Sequence, residues 1–287
     1  MKRKSIIFIV TLLVIIIALN IFKNEKVEEI ERKKVITVSI LPQRYFVKKI
    51  VGEDYKINVM LPPGASPAAY DPTPKQLREL TDSIIYFRIG YIPFEKNYIE
   101  KFRNLNPRMK IIDLSNGVDL IKKGKAIDPH IWLSPKMVKI EVENIMKAMV
   151  LLNPQKSEEY KKNYIKFKKD LEELDEKITR ELRDLKSNNF LVYHPSWTYF
   201  ARDCNLNQIA IEVDGKEPTP KNIKDIIDLA KKEEIKMIIV QKQMSIQSAE
   251  MIAQEINGEV IQLDPLAENW YENMNKISET FGEKIIN

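Results

Sequence analysis

The sequence contains two histidines, and each lies in a short segment that also holds a proline and a tryptophan. His130 is the third residue of the run DPHIW, and His194 is the second residue of the run YHPSW. Asp264 also precedes a proline, in the run LDPL. Two imidazoles and a carboxylate suit a borderline divalent ion such as Zn²⁺ or Mn²⁺. The residue types therefore permit a metal site built from His130, His194 and Asp264, although three unrelated loop residues with structural hydrogen bonds would leave the same pattern.

Other kinds of active site find less support in the chain. Its eight glycines are scattered and form no phosphate-binding loop. Ser196 follows a predicted strand, but no flanking glycines frame it as a nucleophile elbow. Cys204 is the single cysteine, so an internal disulfide is impossible, and a short amphipathic helix around it predicts a core position. Basic and acidic residues are interleaved, so the net charge of +5 does not form the basic stripe of a nucleic-acid-binding protein.

Strands and helices must bring the metal-ligand candidates together, and their predicted order indicates how. Segments with strand character alternate with helical segments on both sides of one long helix, which predicts an α/β fold with two parallel-sheet lobes. His194 and Asp264 directly follow predicted strands at residues 190–193 and 259–263, and ligands bind at the carboxyl ends of strands in such sheets. His130 precedes the last predicted helix of the first lobe, so the two histidines are predicted to belong to opposite lobes.

The long helix is predicted over residues 154–185, which contain no glycine and no proline after the first position. Asn153 is expected to cap its start, and Asn188 and Asn189 to end it. At 1.5 Å per residue the helix would be about 48 Å long, which exceeds one small domain and predicts packing along both lobes. A coiled-coil dimer seam is the alternative. The apolar stripe that both interpretations use recurs at steps of three and four residues and consists of Tyr160, Tyr164, Phe167, Leu171, Leu174, Ile178, Leu182 and Leu185.

An internal repeat indicates that the two lobes are equivalent. Residues 71–80 and 217–226 match at ten successive positions, each identical or chemically similar, and both contain a Thr-Pro helix start. Two good helix starts would explain Thr-Pro alone, but not ten matching positions. The resulting domain prediction is an N-terminal signal or anchor with its tether (1–34), a first α/β lobe (35–152), a linking helix (153–188) and a second α/β lobe (189–287).

The first residues are typical of a secretory signal or a membrane anchor. Basic residues 2–4 precede residues 5–22, of which only three are polar. This run is just long enough to span a membrane and is not followed by a small-residue cleavage site, so we expect an uncleaved anchor. No cysteine follows it, which excludes lipid attachment there. Because basic flanks stay in the cytoplasm, the chain from about Lys23 should face outside, in the periplasm or at the cell surface.

Several longer motifs occur in the order typical of one family. These motifs are PGASP (63–67), YDPTP (70–74), DPHIWLSP (128–135), HPSWTYFA (194–201), GKEPTP (215–220) and LDPL (263–266). Over about residues 35–285 the chain therefore resembles the metal-specific solute-binding proteins of ABC transporters, the zinc and manganese receptors.

The resemblance implies two α/β lobes joined by one long rigid helix, with the metal in the cleft between them. It also implies that His130 and His194 bind the ion through imidazole nitrogens and Asp264 through its carboxylate. The expected ligand is a divalent transition metal, Zn²⁺ before Mn²⁺. The expected partners are a membrane permease and its ATPase. The protein would then be a monomeric receptor rather than an enzyme.

The chain departs from this family at one ligand. Ala68 stands where the family places its first histidine, directly after the PGASP turn, and Gln241 stands where the family often has glutamate. The segment before His130, residues 121–127, is short and lysine-rich rather than histidine-rich.

The missing histidine leaves three interpretations open. The site could bind metal with three protein ligands and water, a neighbour such as Tyr70, Asp71 or Glu212 could complete the shell, or tight metal binding could be lost. Since a three-ligand zinc site with an open position is also the catalytic arrangement, a metal-dependent hydrolase is an alternative. An adhesion or scaffold protein on the same fold is a further one.

Overall fold

The computed structural model describes residues 33–67, 70–124, 126–183, 185, 187–213, 215–242, 244 and 246–286. The predicted anchor and the substituted position Ala68 lie outside these ranges. Within them, the structure contains no helix that is both long and apolar enough to cross a membrane.

The first lobe is a parallel four-stranded sheet flanked by helices, as the alternating pattern predicts. Its strands are β1 (Val35–Val38), β2 (Lys56–Val59), β3 (Ser83–Arg88) and β4 (Lys110–Asp113), in the spatial order β2-β1-β3-β4. Its helices are α1 (Leu41–Val51), α2 (Pro74–Thr81), α3 (Pro93–Leu105) and α4 (Pro135–Leu152). All four residues of β1 are buried, because helices cover both faces of a parallel sheet.

The second lobe has the same architecture. Its strands are β7 (Asn189–Val192), β8 (Asn207–Ala210), β9 (Met237–Gln241) and β10 (Glu259–Leu263), in the spatial order β8-β7-β9-β10. Its helices are α6 (Thr198–Asp203), α7 (Pro220–Lys232), α8 (Gln247–Ile256) and α9 (Trp270–Ile286). A two-stranded hairpin, β5 (Lys122–Lys123) with β6 (Ala126–Ile127), precedes α4 and was not predicted.

The predicted equivalence of the lobes is confirmed by this topology. In each lobe the second strand lies outside the first, and the chain then crosses to the other side for the third and fourth strands. The repeated segments also occupy the same place, because α2 and α7 both connect the second strand to the third. Thr73 accepts a hydrogen bond from the Gln76 amide, and Thr219 accepts one from the Asn222 amide, so both helices begin with the same capping box.

The long helix is shorter than predicted. A 3₁₀ turn at Pro154–Lys156 leads into α5 (Ser157–Glu181), whose 25 residues span about 37 Å. The expected cap at Asn153 is wrong, because its side chain makes no capping bond. Its Nδ2 instead donates to the hydroxyl of Tyr55 at 3.4 Å. The expected stop at Asn188 and Asn189 is also wrong. The helix ends at Glu181 with Leu182 as its C-cap, so Leu185 of the predicted stripe packs against the core from beyond the helix.

The apolar stripe of α5 packs within the chain rather than in a dimer seam. Its central residues are buried in one core cluster with residues of both lobes. Phe167 lies 6.4 Å, centroid to centroid, from Phe46 of α1. On the other side Lys177 donates to Asn275 of α9 at 2.8 Å. Burial of the five residues Tyr160, Phe167, Leu171, Leu174 and Ile178 contributes roughly 8–15 kcal/mol as an upper estimate, which fixes the helix against both lobes.

Candidate metal centre

The fold brings the two histidines together. His130 immediately precedes the 3₁₀ turn Ile131–Leu133 ahead of α4, and His194 follows the end of β7. Their ring centroids are 5.3 Å apart, with an interplanar angle of 70°. The His130 side chain is 12% exposed and that of His194 is 29% exposed, so the pair lies at a partly open position between the lobes.

A buried carboxylate supports each histidine ring. His130 Nδ1 lies 2.7 Å from Asp128 Oδ1, and His194 Nδ1 lies 2.7 Å from Glu212 Oε1. The Asp128 side chain is 1% exposed and the Glu212 side chain 6%. An ionised carboxylate only accepts hydrogen bonds, so each Nδ1 must carry the proton. In the neutral form of each ring Nε2 then keeps its lone pair, which is the usual arrangement of histidines that bind a metal.

Asp128 is held by more than its histidine. Its Oδ1 also accepts the His130 amide at 3.0 Å, and Lys123 Nζ lies 2.9 Å from its Oδ2. Burial alone raises the pKa of Asp128, but the bond from His130 and the Lys123 charge outweigh it and hold that pKa below its ordinary value. Burial also lowers the pKa of His130, against the opposing effect of Asp128. Both shifts favour an anionic carboxylate beside a neutral imidazole at neutral pH.

Asp264 lies in the second lobe, directly after β10, where its Oδ1 accepts the Leu266 amide at 2.9 Å. It lines a cavity of about 280 Å³ between the turn at 61–64 of the first lobe and the turn at 264–268 of the second. Among the described residues, no three His, Cys, Asp or Glu side chains are arranged closely enough to hold a metal ion. The structure thus pairs the two histidines, while Asp264 as their third partner stays a prediction.

The side chains that could replace the missing histidine are engaged elsewhere. Tyr70 donates to Gln76, and Asp71 accepts from Tyr98 at 2.6 Å. Glu212 accepts from His194, as described above.

Gln241, at the end of β9, has a supporting position. Its Nε2 donates to Ser196 Oγ at 2.8 Å, and both side chains are buried. Ser196 lies two residues after His194, so Gln241 helps to fix the segment that carries this histidine.

Hydrogen bonds across the lobe boundary hold the His130 segment in place. Trp132 Nε1 donates to the Pro265 carbonyl at 2.7 Å, and Trp270 Nε1 donates to the Trp132 carbonyl at 2.7 Å. Tyr199 of α6 donates to the Asp128 carbonyl at 2.8 Å. The segment with His130 is therefore bonded directly to the second lobe, which carries His194 and Asp264.

The equivalent crevice of the first lobe is filled by a side chain. Glu95 of α3 reaches the carboxyl ends of β1 and β3, where it accepts the amides of Ile89 at 2.8 Å and Gly90 at 2.6 Å and the hydroxyl of Ser39. Glu95 is fully buried. The crevice of the first lobe is thus occupied by its own side chain, whereas the corresponding edge of the second lobe carries His194.

Sequence reasoning gave no supporting role to Asp128 or Glu212. Asp128 precedes His130 by two residues, so a local carboxylate–histidine pair could have been suspected from the run DPHIW. Glu212 is far from His194 in sequence, and only the pairing of β7 with β8 brings the two close.

Comparison with known proteins agrees with this geometry. A family model described as zinc-uptake complex component A, periplasmic, matches residues 36–284. A crystal structure of ZnuA superposes with a TM-score of 0.85 at 39% sequence identity, covering 88% of this chain and 99% of that chain. High-affinity zinc uptake system protein ZnuA of Bacillus subtilis is 24% identical over 249 residues, or 80% of this chain and 78% of that protein. Zinc-binding protein AdcA of Streptococcus pyogenes serotype M3 is 27% identical over 293 residues, or 92% of this chain but 56% of AdcA.

The family match spans nearly all of both lobes, and the related crystal structure shares their arrangement. The two-lobed α/β fold and the family resemblance predicted from the sequence are confirmed. The chain belongs to the family of periplasmic zinc-uptake complex component A proteins.

Proposed function

We propose that this protein captures one Zn²⁺ ion between its lobes, outside the cytoplasmic membrane. The observation that carries the proposal is the pair of adjacent histidines, each with Nδ1 bonded to a buried carboxylate. The ring centroids lie 5.3 Å apart, a separation at which two imidazoles can bind one ion through their Nε2 atoms. The names of the relatives, ZnuA and AdcA, support zinc as the ion.

The coordination we infer is His130, His194, Asp264 and one water, with Ala68 supplying nothing. Zn²⁺ accepts such a tetrahedral set of nitrogen and oxygen ligands. Mn²⁺ prefers a larger shell dominated by oxygen, so two imidazoles and one carboxylate suit it less well. Zn²⁺ should therefore bind more tightly than Mn²⁺.

The captured ion is passed to a membrane permease driven by a cytoplasmic ATPase. The family match to a zinc-uptake component supports this role. We further propose that the apolar N-terminal run, which lies outside the described residues, holds the protein at the membrane. The protein acts there as a monomer.

A hydrolase is a weaker proposal for the same site. A zinc hydrolase needs a general base that can reach the metal-bound water. The two carboxylates next to the histidines, Asp128 and Glu212, instead accept hydrogen bonds from the histidine Nδ1 atoms.

Calorimetric titration of the full chain tests the proposal. The protein is kept in detergent, purified without a polyhistidine tag, stripped of metal and titrated with Zn²⁺ and Mn²⁺ at neutral and mildly acidic pH. His194→Ala removes one ligand, and Asn104→Ala, an exposed position on α3, is the matched control. Ala68→His restores the histidine typical of the family.

We expect one-to-one binding of Zn²⁺ that is lost in His194→Ala, kept in Asn104→Ala and tightened by Ala68→His. Acid should weaken it, because the ligands must be deprotonated. If Zn²⁺ binds equally well to His194→Ala, the proposed site is wrong. If the wild type binds neither ion and Ala68→His does, the alanine has disabled the receptor.

A further inference from the structure

The hairpin β5–β6 lies against both lobes at the metal centre. Its turn contains Gly124, whose φ of +60° is readily adopted only by glycine. The Asp128 amide donates to the Ile121 carbonyl at 2.9 Å and closes the hairpin. The Ile121 amide donates in turn to the hydroxyl of Tyr199, in the second lobe, at 3.0 Å. The backbone of the hairpin is therefore anchored at its base to the second lobe.

One side chain of this hairpin contacts both histidine-bearing segments. Lys123 Nζ lies 2.9 Å from Asp128 Oδ2, next to the bond that orients His130. The same nitrogen donates to the carbonyl of Pro195, the residue after His194, at 3.2 Å. Asp128 Oδ2 is buried and has no hydrogen-bond partner in the described part of the chain besides this ion pair.

We propose that Lys123 is a positioning residue for the metal centre, acting through Asp128 and Pro195. Lys123 fixes the Asp128 carboxylate that orients His130. It also holds the segment of His194, from the opposite lobe, close to Asp128 through the Pro195 carbonyl. The expected effect of Lys123 on metal affinity rests on the proposed function. The positioning itself belongs to the metal-free protein and can be measured there.

Lys123 also brings a positive charge close to the ion, and this effect opposes its positioning role. Removal of this positive charge favours Zn²⁺ binding because it relieves Coulomb repulsion, whereas loss of the two contacts disfavours binding. Lys122 is the control for the loss of one positive charge from this hairpin. It is the adjacent residue of β5, is exposed, and its side chain makes no hydrogen bond or ion pair within the described ranges. Lys122→Met removes the same charge without removing the contacts.

The experiment compares Lys123→Met, Lys123→Arg and Lys122→Met in the full chain without a polyhistidine tag. Zn²⁺ affinity is measured by competition with a chromophoric chelator. The metal-free proteins are labelled with ¹⁵N and their histidine ring signals are recorded. Because the chain has only two histidines, each spectrum contains two sets of ring signals.

We expect Lys123→Met to bind Zn²⁺ about tenfold more weakly than Lys122→Met, at the lower end of the range for outer-shell partners of a metal site. Lys123→Arg should restore most of the difference, since its guanidinium can still bond a carboxylate and a carbonyl. In the metal-free state, the ring signals of both histidines should shift or broaden in Lys123→Met and stay unchanged in Lys122→Met.

Equal affinities and unchanged ring signals in Lys123→Met would overturn the inference and leave the proposed function intact. If the wild type binds no metal, the proposed function fails, and the metal-free spectra alone decide whether Lys123 positions the rings.

Discussion

Replacement of Glu212 by glutamine should weaken Zn²⁺ binding about tenfold. The wild-type bond joins His194 Nδ1 to a carboxylate oxygen at 2.7 Å, in a place where the Glu212 side chain is 6% exposed. A hydrogen bond to a charged group contributes about 1.5–3 kcal/mol and a neutral one about 0.5–1.5 kcal/mol. Glutamine can keep only the neutral bond, and outer-shell partners of a metal site typically contribute about 10–100-fold to affinity, so we expect a loss near the lower end, about 1.4 kcal/mol or roughly tenfold.

Glu212→Ala removes the bond altogether and should cost up to roughly a hundredfold in affinity. Glu250→Gln on α8 is the matched control, because it makes the same change of charge at an exposed position. Chelator competition gives the affinities at mildly alkaline pH. Long-range ¹H–¹⁵N correlation spectra give the tautomer of each ring, and we expect the proton on Nδ1 of both histidines in the metal-free wild type.

Two results would refute this reasoning. One is a Glu212→Gln protein that binds Zn²⁺ as tightly as Glu250→Gln. The other is a wild-type His194 that carries its proton on Nε2, since the carboxylate would then not be preparing Nε2 for the metal.

Three further predictions concern the core. The Glu141 carboxyl is buried without a hydrogen-bond partner among the described residues. Burial, and to a smaller extent the charge of Glu95, raises the pKa of Glu141 well above its ordinary value. The folded protein therefore favours the protonated carboxyl, and the stability that this group contributes below its ordinary pKa is lost as pH rises through the raised pKa. Glu141→Met should therefore raise the melting temperature by several degrees at pH about 8 and by less at pH about 4.5, from relief of about 1–3 kcal/mol. Burial raises the pKa of the Cys204 thiol to about 12, so a colorimetric thiol reagent at neutral pH should modify it in urea but not in the native protein. Trp132→Phe leaves the Pro265 carbonyl without its donor and should lower the free energy of unfolding in urea by about 1–3 kcal/mol. An unchanged free energy of unfolding would contradict this prediction.

Local sequence signals predicted most of the fold. Thr73 and Thr219 each precede a proline and stand three residues before a polar side chain, and both are helix caps in the structure. Buried strands such as β9 read as apolar runs because parallel sheets are covered on both faces. These features depend on neighbours in the chain, so the sequence contains them directly.

What sequence reasoning missed depends on contacts between distant segments. The helix α5 ends at Glu181, well before Asn188, and the Asn153 side chain donates to Tyr55 instead of capping a helix. The hairpin β5–β6 has little apolar content, and its Lys123 is held by Asp128 and by the opposite lobe. The carboxylate partner of His194 likewise required the pairing of two strands.

The Glu95 carboxylate in the first lobe has a consequence for stoichiometry. The two lobes are copies of one sheet topology, and each copy offers the same crevice between its first and third strands. In the first copy this crevice is closed from within, because the amides of Ile89 and Gly90 already bind the Glu95 side chain. A duplicated architecture could have carried two ions per molecule. With the first crevice closed by its own residue, only the second of the two is open to a ligand, so we expect one Zn²⁺ bound per protein molecule.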